Sequence, residues 1–175
     1  PICFKEEFPI DPFDTGLSLF MKAMNVGTKL VINALTMISQ GIELPKLDQD
    51  LSKRNIYFIK DALNGSIDWK MPAVKIFNFI RASIYDPFNS PTYQPTTIIN
   101  GNIVLIKEAN IVERISLEPN KNLPGQIVSI NRNGLVISVD NNELLEITVV
   151  KSSNKTFRGN EISSGLNLNI GDRFQ

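Results

Sequence analysis

Lys151, Lys155 and Arg158 share one polar segment, Lys151 to Gly159, with serine and asparagine between them and no acid. Ammonium and guanidinium groups spaced this way can neutralise phosphates, so phosphate contact is one reading of the segment and a solvated loop is the other. The rest of the chemistry-bearing inventory is short. Histidine is absent, which removes imidazole as general base, proton shuttle or nitrogen ligand. With Cys3 as the sole cysteine, neither a nucleophile paired with imidazole nor a tetrahedral Cys/His zinc site can be built. The acids Glu6-Glu7 and Glu143-Glu146 have no supporting partners in the sequence and read as surface. No catalytic residue and no metal site is assigned.

Other side chains divide between binding and packing. Trp69 follows Ile67 at the start of a helical pattern, where burial as a core or interdomain anchor outweighs a stacking role, because indole carries a large apolar area. Arg81 sits on an otherwise apolar helix and reads as pairing with a carboxylate or capping a loop. Tyr57, Phe58, Phe88 and Tyr93 lie in or beside two connections, where they either line a cleft or pack the connections onto a core.

Composition limits the partners. The 175 residues are 42% hydrophobic and 21% charged, with 18 basic and 18 acidic side chains, so the chain as a whole has no electrostatic bias toward nucleic acid or an anionic membrane. From Asn100 onward the basic residues (Lys107, Arg114, Lys121, Arg132, Lys151, Lys155, Arg158, Arg173) are matched in number by Glu108, Glu113, Glu118, Asp140, Glu143, Glu146, Glu161 and Asp172. Any nucleic-acid contact therefore needs a local patch. The first residues, Pro1 to Phe8, carry charges where a signal peptide needs an apolar stretch, and no run reaches membrane-spanning length. A soluble, cytoplasmic chain without a membrane partner is expected.

These side chains must be positioned by two kinds of element. Ile2 to Ile10 predicts a short strand feeding a turn, and Thr15 to Gln40 a long helix with apolar positions every three or four residues. Asp14 is expected to accept the first-turn amides, and Gly41 to stop the helix. Glu43 to Ser66 reads as a long polar connection. A second helix follows Pro72, which suits a first helical position, and carries Ala73, Ile76, Phe77, Ile80 and Ile84 on one face. Three prolines between Tyr85 and Pro95 predict a linker and a domain boundary. Downstream, Asn100-Gly101 between β-branched runs predicts a tight hairpin. Gln126 to Ile130, Leu135 to Val139 and Leu144 to Val150 predict a meander, and Gly171 to Phe174 a final turn and strand. Closely spaced short strands suggest a small barrel of the oligonucleotide-binding kind.

The order of these pieces carries a resemblance. Phe8-Pro9-Ile10 leading to Asp14-Thr15, Gly65-Ser66-Ile67-Asp68-Trp69, Pro72-Ala73, Ile80-Arg81-Ala82, the hairpin at Asn100-Gly101, Pro124-Gly125 and Gly171-Asp172-Arg173-Phe174 together resemble the C-terminal half of the methionyl-tRNA formyltransferase family. The likeness extends over essentially the whole chain, and the order of the motifs makes it specific.

That resemblance implies an α+β fold: residues 1–66 as the end of a Rossmann-like formyltransferase domain, strand plus long helix, with its connector loop; 67–95 as connector helix and Pro-rich linker; and 96–175 as an OB-like open β-barrel. It implies 10-formyltetrahydrofolate as the donor for the full-length family, with none expected to bind this chain alone. The family's Asn, His and Asp trio finds no counterpart here, so the chain is expected to begin just past the active site, to lack turnover by itself and to partner an absent N-terminal catalytic domain. The formyl acceptor stays open between methionyl-tRNA and an amino-sugar nucleotide. A non-catalytic interaction module is the reading from a different class; a fragment should leave the long helix with an exposed apolar face and a tendency to self-associate.

Overall fold

The computed structural model describes residues 1–112 and 122–175. It contains two compact units, 1–58 and 59–175.

In the first unit a single helix dominates, α1 (Gly16–Ser39). Its start is held by a reciprocal box: the Thr15 hydroxyl accepts the Ser18 amide at 3.2 Å and the Ser18 hydroxyl accepts the Thr15 amide at 2.9 Å, satisfying two donors that the helix leaves unpaired. Thr15, not Asp14, is thus the cap. Asp14 lies beneath it, accepting the Ser18 hydroxyl at 2.7 Å, the Asp11 amide at 2.7 Å and the Lys22 ammonium at 2.7 Å. Gly41 does end the helix, at φ +71°. The predicted strand over Ile2 to Ile10 is absent as a ladder; Ile2 makes one antiparallel bridge to Leu47. A lone bridge has too few neighbours to propagate, and Pro9 and Pro12 interrupt the donors that would extend it. Within α1 only Gly16 is buried, while Phe20, Met21, Met24, Val31, Ile32, Leu35 and Ile38 are exposed.

The second unit is built on a six-stranded antiparallel sheet: β1 (Thr96–Ile99), β2 (Asn102–Val112), β3 (Ile127–Asn131), β4 (Gly134–Ser138), β5 (Leu144–Ser152) and β6 (Lys155–Arg158). The ladders run β1-β2-β5-β4-β3, with β6 attached to β5. β5 is the axis: its first half pairs with β4 and its second half with β6, while β2 lies along its other side. Leu144, Leu145, Ile147, Val149 and Val150 are accordingly all buried, a near-continuous apolar run suited to a strand covered on both faces. Helix α2 (Ala73–Ala82) buries Ala73, Ile76 and Ile80, the i, i+3 and i+7 positions of one face. These join Ile106, Ile147 and Val150 in one core cluster. The Tyr85 to Pro95 stretch therefore falls inside a compact unit, because α2 spends its apolar face on the sheet.

The ladder path does not return to β1, so the strands form an open sheet and not a closed barrel. The C-terminal segment lies between its two ends. The Ile127 amide donates to the Asp172 carbonyl at 2.8 Å and the Phe174 amide to the Gly125 carbonyl at 2.9 Å, while the Gln175 amide donates to the Ile98 carbonyl at 2.8 Å. The strand predicted at Gly171 to Phe174 is reduced to this strap and one bridge, Gln126 to Arg173.

Two elements were not expected. Lys151 to Gly159, read as a polar segment, is the end of β5, a turn with Ser153 and Asn154 at positive φ, and β6. Helix α3 (Glu161–Leu166) follows and buries Ile162 completely.

Candidate functional site

Hairpin register decides which basic groups act together. Lys151 stands opposite Thr156, Ser152 opposite Lys155 and Val149 opposite Arg158. Since side chains alternate across a strand, Lys151, Thr156 and Arg158 share one face, and Lys155 lies on the other with Phe157. The three basic residues are all exposed, but they do not form one patch.

The face with Lys151 continues onto β2 and β1. Leu105 stands opposite Lys151, and Glu108 opposite Val149, which brings the Glu108 carboxylate within 3.8 Å of the Arg158 guanidinium. Ile98 and Ile103, a directly opposed pair, add exposed apolar surface. The surface combines one ammonium, one guanidinium with a nearby carboxylate, a threonine hydroxyl and a branched apolar rim. Such a surface can hold a phosphate backbone weakly; it has no aromatic side chain for stacking. Sequence reasoning missed Glu108 and Thr156 as members of this face. The alternation in Lys155-Thr156-Phe157-Arg158 was the available signal. Of the basic and acidic residues counted earlier, Glu113, Arg114, Glu118 and Lys121 lie outside the described residues.

Two of the concavities among the described residues include charged or aromatic side chains considered above. One of about 410 Å³ is lined by Ala73, Val74, Ile111, Val112, Asn141, Asn142, Glu143 and Leu144. At its wall the Glu143 carboxylate accepts the Ala73 amide at 2.7 Å, so Glu143 caps α2 from a distant turn and is not an unpartnered surface acid. Glu146 likewise accepts the Asn131 side-chain amide at 3.0 Å, whereas Glu7 pairs with Lys5 in full exposure. The second, about 350 Å³, includes Asp68, Trp69, Lys70, Pro124 and Arg173; the Arg173 Nε donates to the Pro124 carbonyl at 2.8 Å.

The aromatic candidates separate by burial. Trp69 is 4% exposed, and its ring centroid is 5.5 Å from that of Phe174. Tyr93 stacks on Phe79 at 4.5 Å and donates its hydroxyl to the Phe79 carbonyl at 3.0 Å; burial pushes its phenol above the ordinary value. Tyr57, Phe58 and Phe88 are exposed. Arg81 donates to Asn78 at 2.8 Å and lies over the Phe77 ring. Among the described residues no cluster of three or more Cys, Asp or Glu side chains is disposed to hold a metal, and no helix is long and apolar enough to cross a membrane.

The fold and this face can be set beside known proteins. The sequence model of the family described as formyl transferase, C-terminal domain, matches residues 61–167. The chain belongs to that family. Within it, this formyl transferase C-terminal domain is similar to methionyl-tRNA formyltransferases: 24% identity over 173 residues to that of Nitrosomonas europaea, covering 99% of this chain and 51% of the relative, and 29% over 177 residues to that of Dictyoglomus thermophilum, covering 100% and 54%. The chain thus spans about half the length of the curated relatives it matches. Among solved structures, HypX from Aquifex aeolicus in complex with tetrahydrofolic acid is similar in fold, with a TM-score of 0.58 at 17% identity, covering 93% of this chain and 27% of HypX.

Proposed function

We propose that this chain is the C-terminal portion of a cytoplasmic 10-formyltetrahydrofolate-dependent N-formyltransferase and that its second unit helps to hold the formyl acceptor. The observation that carries this reading is the match along almost the whole chain to one half of methionyl-tRNA formyltransferases. In this reading residues 1–66 are the end of a Rossmann-like catalytic domain with its connector loop, and the exposed apolar side chains of α1 are the surface that the rest of that domain covers. The six-stranded sheet with its C-terminal strap corresponds to a partly open OB-like barrel.

Acceptor contact falls to the face that carries Lys151, Thr156 and Arg158, with Lys155 contributing from the other side of the hairpin. The folate donor belongs to the absent portion. With no imidazole in the sequence, the chain alone should show no turnover with the folate donor and an amine acceptor, and measured turnover would overturn that part.

Filter binding of initiator tRNA against salt tests the acceptor role. Each phosphate contact removed should lower the slope of log affinity against log salt by about 0.9. The double change Lys151→Ala with Arg158→Ala should flatten the slope more than Lys155→Ala does. No tRNA binding in low salt, or an unchanged slope in the double variant, would remove tRNA from the proposal.

A second acceptor has its own support. The balance of acids and bases and the exposure of Tyr57 and Phe88 suit a small amino-sugar nucleotide better than a polyanion. Saturable binding of such a nucleotide, without tRNA binding, would favour it.

A further inference from the structure

Three Asn-Gly dipeptides occur in the sequence: Asn64-Gly65, Asn100-Gly101 and Asn133-Gly134. Each offers the same covalent chemistry. The glycine amide nitrogen attacks the asparagine Cγ, a new N–C bond closes a five-membered imide, and the Cγ–Nδ2 bond breaks with ammonia carrying the proton away. Solvent water then opens the ring. Attack at Cγ leaves aspartate, and attack at the former backbone carbonyl leaves isoaspartate. Ring closure requires the peptide unit between the two residues to swing its nitrogen toward the side chain, so the glycine must be unencumbered.

The three sites differ in that respect. Gly134 is buried, its amide donates to the Asn131 Oδ1 at 3.1 Å, and even a methyl group there would collide with the Ile147 carbonyl. Gly65 is buried against the Gln94 backbone. At Asn100-Gly101 both residues are exposed at the tip of the β1–β2 hairpin, with positive φ at each. No atom lies within 4 Å of where a Gly101 Cβ would sit, and no hydrogen bond from the Gly101 amide is found among the described residues.

We infer that Asn100 is a deamidation site, the reactive one of the three, because the turn that makes the hairpin leaves Gly101 without packing or a hydrogen-bond partner. The product adds one negative charge and, as isoaspartate, one extra backbone carbon to a two-residue turn. Ile98, two residues away, is the point where β1 holds the C-terminal strap through both its amide and its carbonyl. Modification therefore acts on the seam between β1 and Gln175.

The test is ageing of the intact chain in mildly alkaline buffer, with peptide mass analysis of all three sites and a parallel sample in denaturant. In the folded protein, conversion at Asn100 should exceed that at Asn64 and Asn133 several-fold. In denaturant the three should react at comparable rates, since the sequence chemistry is the same. Comparable folded-state rates, or a lead for Asn64 or Asn133, would overturn the inference. Asn100→Gln should remove the acidic form that accumulates on ion exchange; persistence of that form in the variant would also count against it.

Discussion

The indole Nε1 of Trp69 donates to the hydroxyl oxygen of Thr97 at 2.9 Å, joining the segment before α2 to strand β1. Thr97 passes the connection on, its hydroxyl donating to the Gln175 carbonyl at 2.9 Å. One buried threonine, 2% exposed, thus ties the tryptophan to the C-terminal strap.

Thr97→Val keeps the shape but leaves a buried indole donor and the strap carbonyl without this partner. A loss of about 1–3 kcal/mol is expected, read as a lowered urea midpoint. A midpoint within error of the parent would show that the hydroxyl contributes nothing.

Gly27 and Gly134 should respond to alanine in opposite directions. Gly27 is interior to α1 with open space around it, so Gly27→Ala should strengthen the helix by about 0.5–1 kcal/mol. Gly134 has φ +151° and meets the Ile147 carbonyl; Gly134→Ala forces β4 away from β5 and should cost more than about 2 kcal/mol. Helical circular dichroism reports the first change and equilibrium unfolding the second.

Glu143 reaches the Ala73 amide across the fold, where Pro72 as the residue before α2 supplies no side-chain cap. Glu143→Ala should destabilise by about 1 kcal/mol, and Glu143→Gln, which keeps an acceptor, by less. Equal losses in the two variants would argue against a capping role.

The start of α1 should be sensitive to acid. The Lys22 ammonium, then the Asp11 amide and the Ser18 hydroxyl, hold the Asp14 carboxyl down at about 2 from an ordinary 3.8. A depressed carboxyl contributes stability above its unfolded value, and this contribution is lost as pH falls from 3.8 toward 2. The Asp11 and Asp14 carboxylates, each 2.7 Å from the ammonium, raise Lys22 above 10.5, so its share is full below that value and lost as pH climbs past the raised one. Amide exchange over 16–22 should accelerate in both limits, and Asp14→Asn should abolish the acid limb.

Much of the fold was legible because the signals are local. Helix α1, helix α2 and the hairpin at Asn100-Gly101 follow from apolar spacing and from residues that accept positive φ, properties a short window of sequence contains. The family could be read too, since the order of motifs is linear information. Strand β6 was missed because Lys155-Thr156-Phe157-Arg158 has a single bulky apolar residue, and its pairing depends on the already formed edge of β5. The cap at Thr15 was misplaced by one residue, as Asp14 and Thr15 are both good acceptors and only the path of the chain chooses between them.

Residue type alone determined that this chain has no imidazole chemistry, no Cys/His metal site and no overall charge bias, because those depend on inventory. Tertiary structure decided which charges share a face. Lys151 and Arg158 are brought together, Glu108 is set beside Arg158, and Lys155 is turned away, all by a hairpin register that hydrogen bonds between distant strands impose. Likewise, Glu143 became a helix cap, and one Asn-Gly pair of three was left open. Spacing along a chain cannot encode these outcomes, since each depends on what packs against the residue after folding.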